Sequence, residues 1–275
     1  MKRGMKRSWL AGPYAVWMIL FTIAPLLFVC YYAFTTKSGA FTIDNLTVIL
    51  RYSTVLLDSL RLALYCTVLC LLIGYPAAYF MASKNMSKHK SLTVLVLVPM
   101  WMNFLLRTYA MMTLMENNGV INTFLEAIGL QKQKMIGTEG AVLLGMVYNF
   151  LPFMILPIYT VLKKLDTRVI EAAEDLGANP FRVLTRVVLP LSIPGVVSGI
   201  TMVFMPAVTT FAVSRLLSSG NIYLMGDMIE EYFITMNNRN VGSAMSLVMM
   251  VLILISMGLL RRVDPEGEGD RKSVV

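Results

Sequence analysis

Six stretches of this chain run for sixteen to twenty-nine residues without a charged side chain: Ser8–Thr36, Leu62–Ser83, Ser91–Leu106, Gly140–Leu162, Val187–Ser214 and Asn240–Leu260. About 20 apolar residues in a helix cross a hydrocarbon core of roughly 30 Å. Five stretches reach that length outright. The third is interrupted by Arg107, resumes to Met115, and reads as a span with a charge inside it. Lipid offers no partner to backbone N–H and C=O groups, so only helices and closed barrels survive there. A barrel would show strands of about ten residues alternating in polarity, and no such pattern occurs. The expected fold is all-α, a polytopic membrane protein with six transmembrane helices. Only 15% of the 275 residues are charged, against about 25% in a soluble domain. A soluble enzyme, a disordered protein and a disulfide scaffold are excluded.

The net charge of +8 would suggest nucleic acid in a soluble protein. In a membrane protein, basic residues gather on the cytoplasmic side instead. With the N-terminus inside, sixteen of the 24 basic residues fall on inner segments, among them Lys2, Arg3, Lys6 and Arg7, Lys84, Lys88 and Lys90, and Arg168 and Arg182. Eight remain outside, so both termini are expected in the cytoplasm and no nucleic acid is needed. The first stretch follows a basic start, as in a signal peptide. Its 29 uncharged residues far exceed a 7–15-residue core, and no cleavage site follows it clearly, so it reads as a retained helix. The tail, 263–275, is polar and Gly-rich and is expected to be disordered.

Little material for catalysis is present. The one histidine, His89, lies in a basic loop, so a His-based metal site or a Ser-His-Asp triad lacks its parts. Cys66 and Cys70 share a helix face as small packing residues. No G-x-x-x-x-G-K occurs, so the chain has no P-loop with which to hydrolyse ATP. It is not expected to be an enzyme, and no cofactor or metal is expected. Prolines recur inside the spans, among them Pro25, Pro76, Pro99, Pro152, Pro157, Pro194 and Pro206, and favour a bundle of kinked helices enclosing a path. Gly195 and Gly199 form a G-x-x-x-G surface for close helix packing.

The segment between the fourth and fifth spans is the most informative. Asp166 and Thr167 are candidate caps, VIEAAEDL reads as a short helix, and Gly177 stops it. Asn179-Pro180 turns the chain into a second helix that runs into the membrane. The order Glu171-Ala172-Ala173, three residues, Gly177, nine residues, Val187, then Leu189-Pro190 resembles the signature of permease subunits of binding-protein-dependent ABC importers. That resemblance implies the MetI-like permease fold, with a core domain over 58–262 inside a single transmembrane domain and coupling helices over 166–190. It implies that Glu171, Ala172, Ala173, Asp175, Gly177, Ala178, Leu189 and Pro190 couple to an ATPase groove. The implied partners are two ATPase subunits, a second homologous permease, an extracytoplasmic solute-binding protein and the bilayer of a bacterial cell membrane.

Further stretches, VPMWMNFLLRTYA and YNFLPFMILPIY among them, are similar to the first permeases of spermidine/putrescine importers. Permeases for thiamine, iron, sulfate and aminophosphonates share much of the pattern. Trp101, Asn103, Arg107 and Tyr148 are candidates for the solute path or gate. Arg107 either snorkels to the interface or faces the bundle. After the fifth span, Leu216–Gly226 is too short to cross, and a following helix would put Asp227, Glu230 and Glu231 on one face. Three close carboxylates could receive a polycation, dock the binding protein, or form a solvated acidic surface. An ion-coupled transporter would want more ionisable groups at mid-membrane than Arg107, and an intramembrane enzyme would need a facing nucleophile and base.

Overall fold

The computed structural model describes residues 12–83 and 90–263. The basic residues Lys2 to Arg7, the loop with Lys84, Lys88 and His89, and the tail from 264 lie outside them. In chain order the helices are α1 Gly12–Ala33, α2 Asp44–Arg51, α3 Ser53–Ala82, α4 Lys90–Trp101, α5 Phe104–Met115, α6 Val120–Ala127, α7 Glu139–Lys164, α8 Thr167–Asp175, α9 Pro180–Leu191, α10 Ile193–Thr209, α11 Ala212–Leu217, α12 Met225–Ile234 and α13 Arg239–Val263.

All six uncharged stretches are mainly helical where described, but they are not six unbroken rods. The helices α1, α3, α7 and α13 are each long and apolar enough to cross a membrane. The expected third span is two twelve-residue helices, α4 and α5, because Asn103 leaves the helical region and caps α5 with its side chain, accepting from Leu105 N and Leu106 N. The expected fifth span bends by 66° between α9 and α10. Pro190 and Pro194 bracket that bend, and each removes a backbone donor from the ladder. The straight helix therefore begins at Ile193 rather than Val187.

The chain divides into two compact units. One comprises residues up to 54 and 228–252. Here the end of α1 leaves carbonyls without intrahelical partners. Two asparagines supply donors: Asn45 Nδ2 to Ala33 O (3.1 Å) and Thr35 O (2.9 Å), and Asn240 Nδ2 to Tyr32 O (3.2 Å) and Thr35 O (2.6 Å). Earlier in α1 the ladder loosens into a π-helical turn over Ile19–Ile23, just ahead of Pro25.

The other unit comprises 55–227 with the residues from 253. Its centre is α7, against which α10, α5 and α11 pack. The close approach read from Gly195 and Gly199 is present. A Cβ on Gly199 would lie 3.2 Å from Met154 O, and one on Gly195 would lie 3.1 Å from Pro157 O and Ile158 Cα. In lipid, small residues at such a seam let backbones meet and gain dispersion that larger side chains would block. Hydroxyls within the helices are satisfied locally, as in Thr67 Oγ1 donating to Ala63 O and Thr160 Oγ1 to Leu156 O. Cys66 and Cys70 are both buried.

Candidate functional site

Three regions carry the residues singled out by sequence. The first is the 166–190 loop. Asp166 caps α8 by accepting from Arg168 N (3.0 Å). The helix then ends in a Schellman pair: Gly177 N donates to Glu174 O (2.9 Å) and Ala178 N to Ala173 O (3.1 Å). Gly177 sits at φ +80 with nothing near its missing Cβ, so glycine is required by backbone conformation and not by crowding. Asn179 restarts the chain as the cap of α9, accepting from Arg182 N (2.8 Å). Glu171, Ala172, Asp175, Leu189 and Pro190 are exposed, and Ala173 and Ala178 are half-buried. Leu176 is 89% exposed and Phe181 is also bare. Two large apolar side chains standing in the open beside a row of carboxylates make a surface suited to a partner with an apolar groove and basic groups.

The second region is the break between α4 and α5. Trp101 is 79% exposed and Tyr148, on α7, is exposed as well. Arg107 is only 4% exposed, so it faces the bundle and does not snorkel. Its Nε and Nη1 have no hydrogen-bond partner among the described residues. The adjacent Thr108 is fully buried and accepts from Asn149 Nδ2 (3.2 Å), which also donates to Gly145 O (2.9 Å). A carbonyl only accepts, so this bond sets the orientation of the Asn149 amide. Phe104 stacks on Phe150 across the same seam at 6.3 Å. Thus Asn103 and Arg107 serve different ends. One shapes the break, while the other lies inside next to a polar pair that the sequence reading missed. An asparagine within an otherwise apolar span was the available signal.

The third region is the segment ending in α12. Asp227 is buried, and its Oδ2 accepts from Ser214 Oγ (2.6 Å) and Leu224 N (2.9 Å). The second bond is the reaching-back half of a capping box. The next orphan donor, Met225 N, bonds Ser59 Oγ (2.8 Å) from α3. Asp227 therefore does not stand on an open acidic face; it fastens the start of α12. Glu230 and Glu231 are half-buried. Beside them Tyr232 and Tyr52 join hydroxyls at 3.3 Å. Burial, the bond to Tyr52 and the nearby Glu231 carboxylate push the Tyr232 phenol up to about 12. The Tyr232 hydroxyl therefore keeps its proton as pH rises toward that value.

The chain is similar to known proteins along most of its length. A family described as "Binding-protein-dependent transport system inner membrane component" matches residues 74–266. The spermidine/putrescine transport system permease protein PotB of Haemophilus influenzae is 39% identical over 258 residues, 90% of each chain. PotB of Escherichia coli is 35% identical over 254 residues, 89% of this chain and 91% of that one. Among solved structures, a bacterial ABC transporter involved in the import of the acidic polysaccharide alginate superposes with a TM-score of 0.75 at 19% identity, covering 94% of this chain and 98% of that one. A bacterial alginate ABC transporter in complex with its alginate pentasaccharide-bound periplasmic protein superposes at 0.73 and 16% identity, covering 95% of each chain. At such identities these two structures establish the fold.

Proposed function

The chain belongs to the family of binding-protein-dependent transport system inner membrane components, and from that premise we propose that it is the membrane-spanning permease of an ATP-driven importer of polyamines. Identity to permeases named for spermidine and putrescine across nine-tenths of the chain is the observation that carries the solute class. The core permease domain is taken as 58–262, both termini lie in the cytoplasm, and ATP is hydrolysed by separate subunits. Two such ATPases, a second homologous permease and an extracytoplasmic binding protein complete the complex.

The 166–190 loop is the handle. Exposed Leu176 and Phe181 enter an apolar groove on the ATPase, and Glu171 and Asp175 meet donors at its rim. ATP closes the ATPase dimer, the grooves carry α8 with them, and the helix bundle changes which side it opens to. Such a step biases a two-state element from outside. Trp101 and Tyr148, exposed on this chain, are placed to meet the second permease across the solute path. Uptake of labelled spermidine and putrescine by the reconstituted complex tests the solute. Transport of thiamine, iron, sulfate or an aminophosphonate with no polyamine uptake would leave the importer class and reassign the cargo.

A further inference from the structure

The bend between α9 and α10 is held from another helix. Pro190 cannot donate to Arg186 O, and Pro194 cannot donate to Pro190 O, so the ladder is thin on both sides of Ser192. A thin ladder is a hinge unless side chains stiffen it. Ser192 is 0% exposed. Its backbone N still reaches Val188 O (2.9 Å) and Leu189 O (3.1 Å). Its Oγ donates to Leu189 O (2.9 Å) and lies 2.9 Å from the hydroxyl of Tyr75. A serine hydroxyl has one proton. That proton is committed to Leu189 O, so Tyr75 is the donor in the bond to Ser192. Tyr75 comes from α3, 117 residues away in sequence. Its chain neighbour Gly74 rests on Met154 of α7. The elbow is therefore fastened to a helix that is itself seated on the centre of the unit.

We infer that Tyr75 is a positioning residue for coupling: its hydroxyl fixes the angle at Ser192, so that motion entering at α8 passes through α9 into α10 and α3 together. Without it, the same motion is absorbed as bending between Pro190 and Pro194. This inference rests on the reading of the 166–190 loop as the ATPase dock. The connection is short. From Asn179, the cap of α9, the chain needs only α9 itself to reach Ser192. Buried Val183 and Val188 keep α9 against the unit along the way.

The test uses the complete complex reconstituted in vesicles, with ATP hydrolysis and spermidine uptake measured together. Tyr75→Phe keeps the ring and removes the donor. Losing one buried hydrogen bond shifts a two-state balance by roughly fivefold. Spermidine carried per ATP should fall by about that factor, while basal hydrolysis and the half-saturating concentration of loaded binding protein stay as in the parent. Ser192→Ala removes that bond together with its own bond to Leu189 O and should lose at least as much; the double variant should be no worse than Ser192→Ala, because the bond between the two hydroxyls can be lost only once. Tyr79→Phe, one turn further along α3, should change nothing. An unchanged ratio of uptake to hydrolysis in Tyr75→Phe and Ser192→Ala overturns the inference, as do strictly additive losses in the double variant. Loss of the ATPase subunits from purified Tyr75→Phe complex also overturns it, since the residue would then support the dock itself. Failure of the docking reading shows separately, as full coupling in Glu171→Lys.

Discussion

The 166–190 loop and the 212–234 segment are both short-helix connections beside the fifth span, yet they are held in opposite ways. In the first, the caps and the glycine turn span two to five residues: Asp166 to Arg168 N, Ala178 N to Ala173 O, Asn179 to Arg182 N. In the second, Ser214 bonds Asp227 thirteen residues on, and Met225 N reaches Ser59 across 166. A connection whose turns close locally keeps its shape when moved and presents Leu176 and Phe181 to a partner. A connection bolted to other helices has spent its polar groups at home. The first is built as a handle and the second as a fixture.

The largest expected contrast is in sidedness. A cysteine at Ser87 should resist an impermeant thiol reagent in intact cells, and one at Asn118 should label. Asn118 is exposed, whereas at the neighbouring Gly119 a Cβ would sit 2.5 Å from two carbonyl oxygens. The reverse pattern would invert the assignment of the two faces.

Next comes the handle. Like charges brought together at an interface cost several kcal/mol. Binding-protein-stimulated ATP hydrolysis should therefore drop by on the order of tenfold in Glu171→Lys. Gly177→Val forces a β-branched residue into the left-handed region, at about 1–2 kcal/mol, and should show a smaller loss. Both proteins should remain in the membrane. Full stimulation in both would sink the docking assignment.

Arg107 sharpens the comparison from inside the bundle. Replacing a buried ionic group by an apolar one of similar size is often stabilising by about 1–4 kcal/mol. Arg107→Met should raise the melting temperature of the detergent-solubilised complex while uptake falls severalfold. Arg107→Lys keeps the charge but loses the planar fork and should lie between. Wild-type uptake in both variants would remove Arg107 from the transport cycle.

The smallest effects separate the carboxylates of the fixture. Asp227→Asn should lower thermal stability, by about 1–3 kcal/mol for a disturbed buried acceptor. Glu230→Gln and Glu231→Gln should leave stability alone and raise the spermidine concentration for half-maximal uptake by about twofold, the scale of a partly exposed charge. A change confined to binding-protein affinity would make that face a docking surface. Equal destabilisation by all three would erase the distinction drawn from burial.

How much could be read beforehand follows the same division. The number and place of the apolar stretches, the helix–glycine–helix loop and its caps are written in neighbouring residues, because hydropathy, capping and left-handed turns act over a few positions. Asn103 stands out in the sequence, but its role in splitting the third span depends on the local ψ of 133° that lets its side chain cap α5. Asp227 was grouped with Glu230 and Glu231 because helical spacing counts faces; it does not say which face is covered.

The class is legible in neighbouring residues: uncharged stretches long enough for lipid, and a loop whose caps and glycine turn are local. Where polar groups inside the bundle find partners follows instead from how the helices pack. Arg107 turned inward, Asp227 met Ser214, and Tyr75 met Ser192 across 117 residues. The difference comes from distance along the chain. A backbone conformation is set by the residues beside it, whereas burial and side-chain pairing are set by whichever helix the fold brings alongside.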